Sequence, residues 1–248
     1  KQHTGVIPLI GGIVIAISLF LSLLLLPISF KDFRLLFFGL GVLTIVGALD
    51  DQKEIRPNVR IFAQLLVAIV LTGLDHTVVT YVGTVLGGAR AFGLGYLAIP
   101  FSVIAIVGTI NAYNMMDGHD GLAGVSFIIS LSGILFLIFF RATPDDQQYI
   151  AIVVLMIVLV SVFLLFNIGL LGSSRKIFLG DAGSMLFGLI MVFLLIRLSQ
   201  RPVPVVTTAA AAWLVGLPLL DMVAVILRRL SARTSLVRAD RAHIHHFL

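Results

Sequence analysis

Two amides, two acids and two glycines stand close together in the run Asn111-Ala-Tyr-Asn114-Met-Met-Asp117-Gly118-His119-Asp120-Gly121, directly after a long apolar stretch. Charged groups at the edge of a bilayer are costly, so such a cluster reads as a site by default. Carboxylates and amides are hard oxygen ligands and hydrogen-bond partners, which suits them to Mg²⁺, phosphate esters and polar head groups. Were the helix to continue through the run, Asn111, Asn114, Asp117 and Asp120 would drift by about 60° per step around it. Gly118 and Gly121 predict instead that it breaks, leaving a loop whose backbone can approach a ligand. A plain turn would need only one Gly and one Asp. His119 reads as a solvent-side residue between two useful acids.

Four other segments carry groups of the same kind. Asp50-Asp51 closes an apolar stretch. Adjacent carboxylates repel, so one can serve as a base, and a bound cation would reverse that. The plainer reading is a solvated helix end with Lys53 and Arg56 as counter-charges, although acids at a helix C-terminus oppose the macrodipole. In Phe178-Leu-Gly180-Asp181-Ala-Gly183-Ser184, either Asp181 or Ser184 fits an N-cap. Capping needs neither the flanking glycines nor Phe178, which offers a stacking face to a base. The cluster His243-Ile-His245-His246 has the ligands for zinc, but with Arg238 and Arg241 beside it phosphate contacts are preferred. Attraction of this basic segment to anionic lipid is the plain alternative. His3-Thr-Gly5-Val-Ile-Pro8-Leu-Ile-Gly11-Gly12 fits close helix packing as well as it fits a site. Asp221, within the last apolar stretch, either faces the polar groups or pairs with a neighbouring helix.

The elements that must position these groups are membrane helices. Of 248 residues, 59% are hydrophobic and 12% charged, and the mean hydropathy is +1.13. Soluble domains average roughly 45–50% apolar and about 25% charged. With no cysteine, disulfides and thiolate metal sites are excluded. The net charge of +5 reports topology rather than nucleic acid binding. Both ends look cut from something longer.

The pattern predicts an all-α polytopic protein with eight spans, near 8–26, 34–49, 60–76, 96–113, 121–140, 148–166, 183–198 and 207–227. The second and seventh are expected to be short. Eight spans put both ends on one side. That side carries Lys1, Lys53, Arg56, Arg60, Arg175, Lys176, Arg228, Arg229, Arg233, Arg238 and Arg241, against Lys31, Arg34, Arg90, Arg141, Arg197 and Arg201 opposite, which favours it as cytoplasmic. Helix parity alone then places Asp50, Asp51, Asp117, Asp120, Asp181 and the histidine cluster on this one face. On the far side, β-branched residues around Gly87-Gly88 within 77–95 predict a small extracytoplasmic β-hairpin. The tail 228–248 reads as a cytoplasmic loop, and 1–248 as a single transmembrane domain.

Taken in order, H-T-G-V-I-P-L-I-G-G, L-D-D, N-A-Y-N-M-M-D-G-H-D-G, F-L-G-D-A-G-S and H-I-H-H span the chain from end to end. Together they resemble the polyprenyl-phosphate N-acetylhexosamine-1-phosphate transferases, and the WecA/TagO branch more than the MraY branch. The resemblance implies transfer of GlcNAc-1-phosphate from UDP-GlcNAc to undecaprenyl phosphate, with release of UMP, as the first step of lipid-linked cell-surface glycan synthesis. It implies Mg²⁺ dependence, with Mn²⁺ as an alternative, and a multi-pass protein of the bacterial inner membrane with its site facing the cytoplasm. Asp181 matches the main metal ligand. Asp50 and Asp51 match the catalytic pair held to deprotonate or position the lipid phosphate, with metal contact left open. Asn111, Asn114, Asp117 and Asp120 match the nucleotide-sugar pocket, with Asp120 near the uracil. Phe178 matches a uracil-stacking ring, and His243, His245 and His246 match the motif associated with diphosphate and sugar. The implied partners are UDP-GlcNAc, undecaprenyl phosphate and membrane lipid, with no nucleic acid, and a homodimer stays open. Family members carry membrane helix before His3 and after His246 that this chain lacks.

Direct attack by the lipid phosphate is the favoured route, because phosphoryl transfer needs positioning and charge neutralisation more than covalent help. A two-step route through an aspartyl intermediate stays open. The alternatives in function are a phospho-MurNAc-pentapeptide transferase, an ion-coupled transporter, and a zinc hydrolase built on the histidine cluster.

Overall fold

The computed structural model describes residues 7–26, 29–83, 92–118, 120–141 and 146–231. The described residues are helical, with α1 at Gly11–Leu25, α2 at Arg34–Lys53, α3 at Pro57–Gly73, α4 at Ala98–Met116 and α5 at Leu122–Arg141. They continue with α6 at Gln147–Asn167, α7 at Gly180–Ser199, α8 at Thr208–Leu214 and α9 at Gly216–Ser231. Each predicted stretch coincides with one helix, except the last, which is a pair. Five of the described helices are long and apolar enough to cross a membrane, or six if α8 and α9 count as one bent span.

The lengths differ from expectation in a way the ends explain. α2 and α7 each have 20 residues, because Asp50-Asp51 and Gly180-Asp181 are inside the helices rather than beyond them. The short ones are α1, with 15 residues, and α3, with 17. At 1.5 Å per residue these reach only about 22 and 25 Å, against a hydrocarbon core of about 30 Å.

α7 is the axis of the bundle. It is buried on almost every face from Gly180 to Leu198, and its apolar residues run all round the helix, as such burial requires. α1, α2 and α4 pack around it. The approach of α1 is close: a Cβ on Gly12 would sit 2.1 Å from the Gly183 nitrogen. Gly11 N and Gly12 N donate to Phe178 O and Leu179 O at 2.9 and 2.8 Å, so the first turn of α1 docks on the lead-in to α7. Close packing therefore accounts for the Gly11-Gly12 pair. Farther along, Phe127 of α5 stacks on Phe187 with centroids 4.3 Å apart.

α8 and α9 meet at a bend of 69°. Pro218 has no N–H to give the Leu214 carbonyl, which lies four residues earlier. Ser130 Oγ of α5 donates to that carbonyl instead, at 2.5 Å. The freed acceptor is thus satisfied from a neighbouring helix.

Among the described residues the predicted hairpin appears only as one antiparallel bridge, Tyr81 with Gly93. Val82 N donates to Phe92 O at 3.0 Å beside it. Gly87-Gly88 lies outside the described residues. The segment is held to the end of α7 by Gln200 Oε1, which accepts from Thr80 N and Tyr81 N at 2.9 and 3.0 Å.

Candidate active site

The helices alternate in direction, so the ends of α2, α4 and α6 meet the starts of α3, α5 and α7. Asp50 and Asp51 lie in the last turn of α2, Asn111 and Asn114 near the end of α4, Asp117 just past it, and Asp181 in the first turn of α7. Tertiary structure brings these together as helix parity predicts.

The centre is a bridge made by one guanidinium. Arg60, in the first turn of α3, donates from Nη1 to Asp50 Oδ2 at 2.7 Å and to Asp181 Oδ2 at 2.9 Å. Pro57 at the first position of α3 helps fix where that turn begins. Asp50 is buried, and its other oxygen accepts from Ile55 N at 2.8 Å, which ties the α2–α3 turn to the site. The other oxygen of Asp181 accepts from Asn114 Nδ2 at 2.7 Å, and Asn114 also reaches Ser184 Oγ at 3.0 Å. Asp51 faces a different way. Its Oδ1 accepts from Asp181 N at 2.8 Å and its Oδ2 from Ala182 N at 3.4 Å.

Asn111 points inward. Its Nδ2 donates to Gln64 Oε1 at 2.6 Å and to Val107 O at 2.8 Å. Gln64 is buried on α3 one turn after Arg60. Asn111 and Gln64 therefore form a polar tie between α3 and α4 beneath the acidic groups.

Asp117, Gly118, Asp120, Asn167, Phe178 and Leu9 line a small cavity of about 140 Å³. Burial pushes the Asp117 carboxyl well above the usual carboxylate range; the charges of Asp181 and Asp51 add to this, and a hydrogen bond from the Gly180 backbone opposes it. Lys176 pairs with Asp120, and its ammonium lies 5.6 Å from the centre of the Phe178 ring. Asn167 Nδ2 donates to Ile177 O at 2.9 Å and steadies the approach to Phe178. His119, His243, His245 and His246 lie outside the described residues, as does His3.

Arg60, Gln64, Ser184 and Asn167 belong to this constellation although sequence reasoning assigned them no site role. A signal existed for the first two. Arg60 and Gln64 stand four apart, hence on one face of an otherwise apolar helix, where polar groups need a reason.

Among the described residues no group of three or more metal-ligating side chains converges. Two carboxylate oxygens do meet at one cationic point, on Arg60 Nη1. That set fits Mg²⁺, which is commonly held by one or two carboxylates together with substrate phosphates.

Away from the polar groups, an apolar groove of about 480 Å³ runs between α4, α7 and the α8–α9 bend. It extends along α4 from Phe101 to Gly108 and Thr109, less than one turn before Asn111.

The sequence matches known proteins. Residues 33–199 match the description of glycosyl transferase family 4. Over its full length the chain is 34% identical to an undecaprenyl-phosphate alpha-N-acetylglucosaminyl 1-phosphate transferase of Yersinia pestis, covering 67% of that protein. It is 33% identical to proteins of the same name from Escherichia coli K12 and Haemophilus influenzae, covering 66% and 69% of them. The chain thus spans about two thirds of the length of these relatives. The matched family segment contains Asp50, Asp51, Arg60, Asn114, Asp117 and Asp181, the residues that converge at one end of the bundle, and on both grounds the chain belongs to glycosyl transferase family 4.

Proposed function

We propose that this chain transfers GlcNAc-1-phosphate from UDP-GlcNAc to undecaprenyl phosphate, giving undecaprenyl-diphospho-GlcNAc and UMP. The observation that carries the reading is the convergence of Asp50, Asp181, Arg60 and Asn114 at one end of the bundle. A transporter places such groups near the midplane, where both sides can reach them. The names of the relatives point the same way.

In the reaction, an oxygen of the lipid phosphate attacks the phosphorus that carries the sugar. The bond from that phosphorus to the bridging oxygen breaks, and UMP leaves with the electron pair. Asp50 and Asp181 are the residues that would hold Mg²⁺, or Mn²⁺ in its place. When bound, the ion neutralises the diphosphate and stabilises the leaving UMP. Arg60 supplies a fixed positive charge at the same point, and Asn114 holds the Asp181 carboxylate in orientation. Asp117, Asp120 and Phe178 line one cavity and are assigned to the nucleotide end of the donor. The groove beside α4 offers the polyprenyl chain an apolar path to the site.

The reading includes eight crossings, with α1 and α3 drawn to the interfaces by their flanks and α8–α9 as one broken span. It puts the site on the cytoplasmic face of a bacterial inner membrane, the side with more Lys and Arg. The test is a transfer assay with undecaprenyl phosphate, Mg²⁺, and UDP-GlcNAc, UDP-GalNAc or UDP-MurNAc-pentapeptide in turn. UMP released with UDP-GlcNAc is the expected result. No UMP from any donor would sink the proposal, and release only with the pentapeptide donor would move it to the other branch.

A further inference from the structure

Adjacent acids in a sequence invite one shared role, but the two carboxylates of Asp50-Asp51 point to different partners. Asp50 meets Arg60 and, through it, Asp181. Among the described residues the donors to Asp51 are backbone: the amides of Asp181 and Ala182, at 2.8 and 3.4 Å. Those amides belong to the first turn of α7 and have no acceptor within the helix. Leu179, at the position before this helix, supplies no side-chain cap. Asp51 does from α2 what an N-cap side chain does within a helix.

A second observation concerns Gly180. Its φ is +74°, a left-handed conformation that glycine adopts without strain. A Cβ there would stand 2.5 Å from Asp51 Oδ2 and 3.0 Å from its carboxyl carbon. Glycine at this position therefore leaves the space the carboxylate fills. The group that approaches Gly180 is Asp51.

We infer that Asp51 is a positioning residue: it caps α7 from α2 and, with the room left by Gly180, sets where Asp181 stands. The inference deepens the transferase reading and rests on it for the importance of Asp181. It separates the pair. Asp50 faces the reacting groups, and Asp51 acts through the backbone of Asp181, whose side chain is fixed independently by Arg60 and Asn114.

The test combines hydrogen exchange with kinetics on the full chain in lipid nanodiscs. An N-cap is worth about 0.5–2 kcal/mol, so Asp51→Ala is expected to speed exchange at the Asp181 and Ala182 amides by roughly 2- to 30-fold. Asp51→Asn keeps one acceptor oxygen, enough for the shorter bond from Asp181 N but not for that from Ala182 N, so protection at the Asp181 amide stays near wild type and kcat is expected within about tenfold. A group that moves a proton in the reaction would lose about 10²- to 10⁴-fold on the same change. Gly180→Ala is expected to speed exchange at the same amides as Asp51→Ala does. The double variant is expected to be no worse than either single, because both remove one contact.

Unchanged exchange in Asp51→Ala would overturn the cap. So would a loss of more than about a hundredfold in kcat for Asp51→Asn with the Asp181 amide still protected, which would make Asp51 a chemical group. Fully additive effects in the double variant would break the link to Gly180. A wild type that releases no UMP would overturn the transferase reading instead, and the exchange result would still decide the cap.

Discussion

Replacing Arg60 by Met tests the centre of the site. The change removes the charge and keeps much of the apolar stem, so the lost packing is small. It leaves Asp50, with a side chain only 6% exposed, facing Asp181 with no counter-charge between them. Breaking a buried pair by removing one partner costs about 3–5 kcal/mol. Arg60 and Asp181 are each 29% exposed, so water screens part of this. A cost of about 2–3 kcal/mol follows once that screening is allowed for. For a chain of this size, that corresponds to a fall in Tm of roughly 5–10 °C. The assay is thermal unfolding by circular dichroism in detergent with EDTA, which leaves no divalent cation to substitute for the guanidinium. Arg60→Lys should fall between the two, since an ammonium keeps the charge but not the reach. Asp50→Asn placed on Arg60→Met should recover at least about 1 kcal/mol, because the stranded charge is gone. An Arg60→Met protein that melts with the wild type would refute the reasoning, as would a double variant with no recovery.

Asp181→Asn should keep the hydrogen bond from Arg60 while giving up the one from Asn114, and should lower UMP release by about 10²-fold or more, because the charge at the metal point is lost; turnover near wild type would remove Asp181 from that role. Gln64→Leu takes one of two partners from the Asn111 amide, which keeps Val107 O, and should cost about 1–3 kcal/mol in thermal unfolding; no shift would mean that the tie between α3 and α4 carries no weight. Asp117 has a folded pKa raised above its unfolded value, so its contribution to stability is full below the ordinary carboxylate pKa and is lost as pH rises through the folded one. In metal-free buffer, Tm should therefore decline from about pH 4 upward, and Asp117→Asn should flatten that decline; identical slopes for the two proteins would contradict it.

The helices were legible because an apolar helix is a local property, visible in about 20 consecutive residues. The stretches near 34–49, 96–113, 121–140, 148–166 and 183–198 each became one helix. Their ends were less legible. Asp50-Asp51 and Gly180-Asp181 looked like boundaries because they are polar, yet each continues a helix whose neighbours satisfy it. The break between α8 and α9 depended on a partner outside the segment, the Ser130 hydroxyl that takes up the carbonyl Pro218 leaves free.

For the site, sequence by itself determined the acids and amides and the end of the bundle they share, but not Arg60, Gln64, Ser184 or Asn167. Carboxylates and amides next to apolar runs had to lie at helix ends, and alternation of the helices put those ends together. Only the tertiary structure decided what each group does there. It gave Asp50 to Arg60, gave Asp51 to the amides of α7, and turned Asn111 inward to Gln64. These assignments are contacts between helices far apart in the chain. Periodicity says which face a side chain occupies; the partner on that face is set by how neighbouring helices pack.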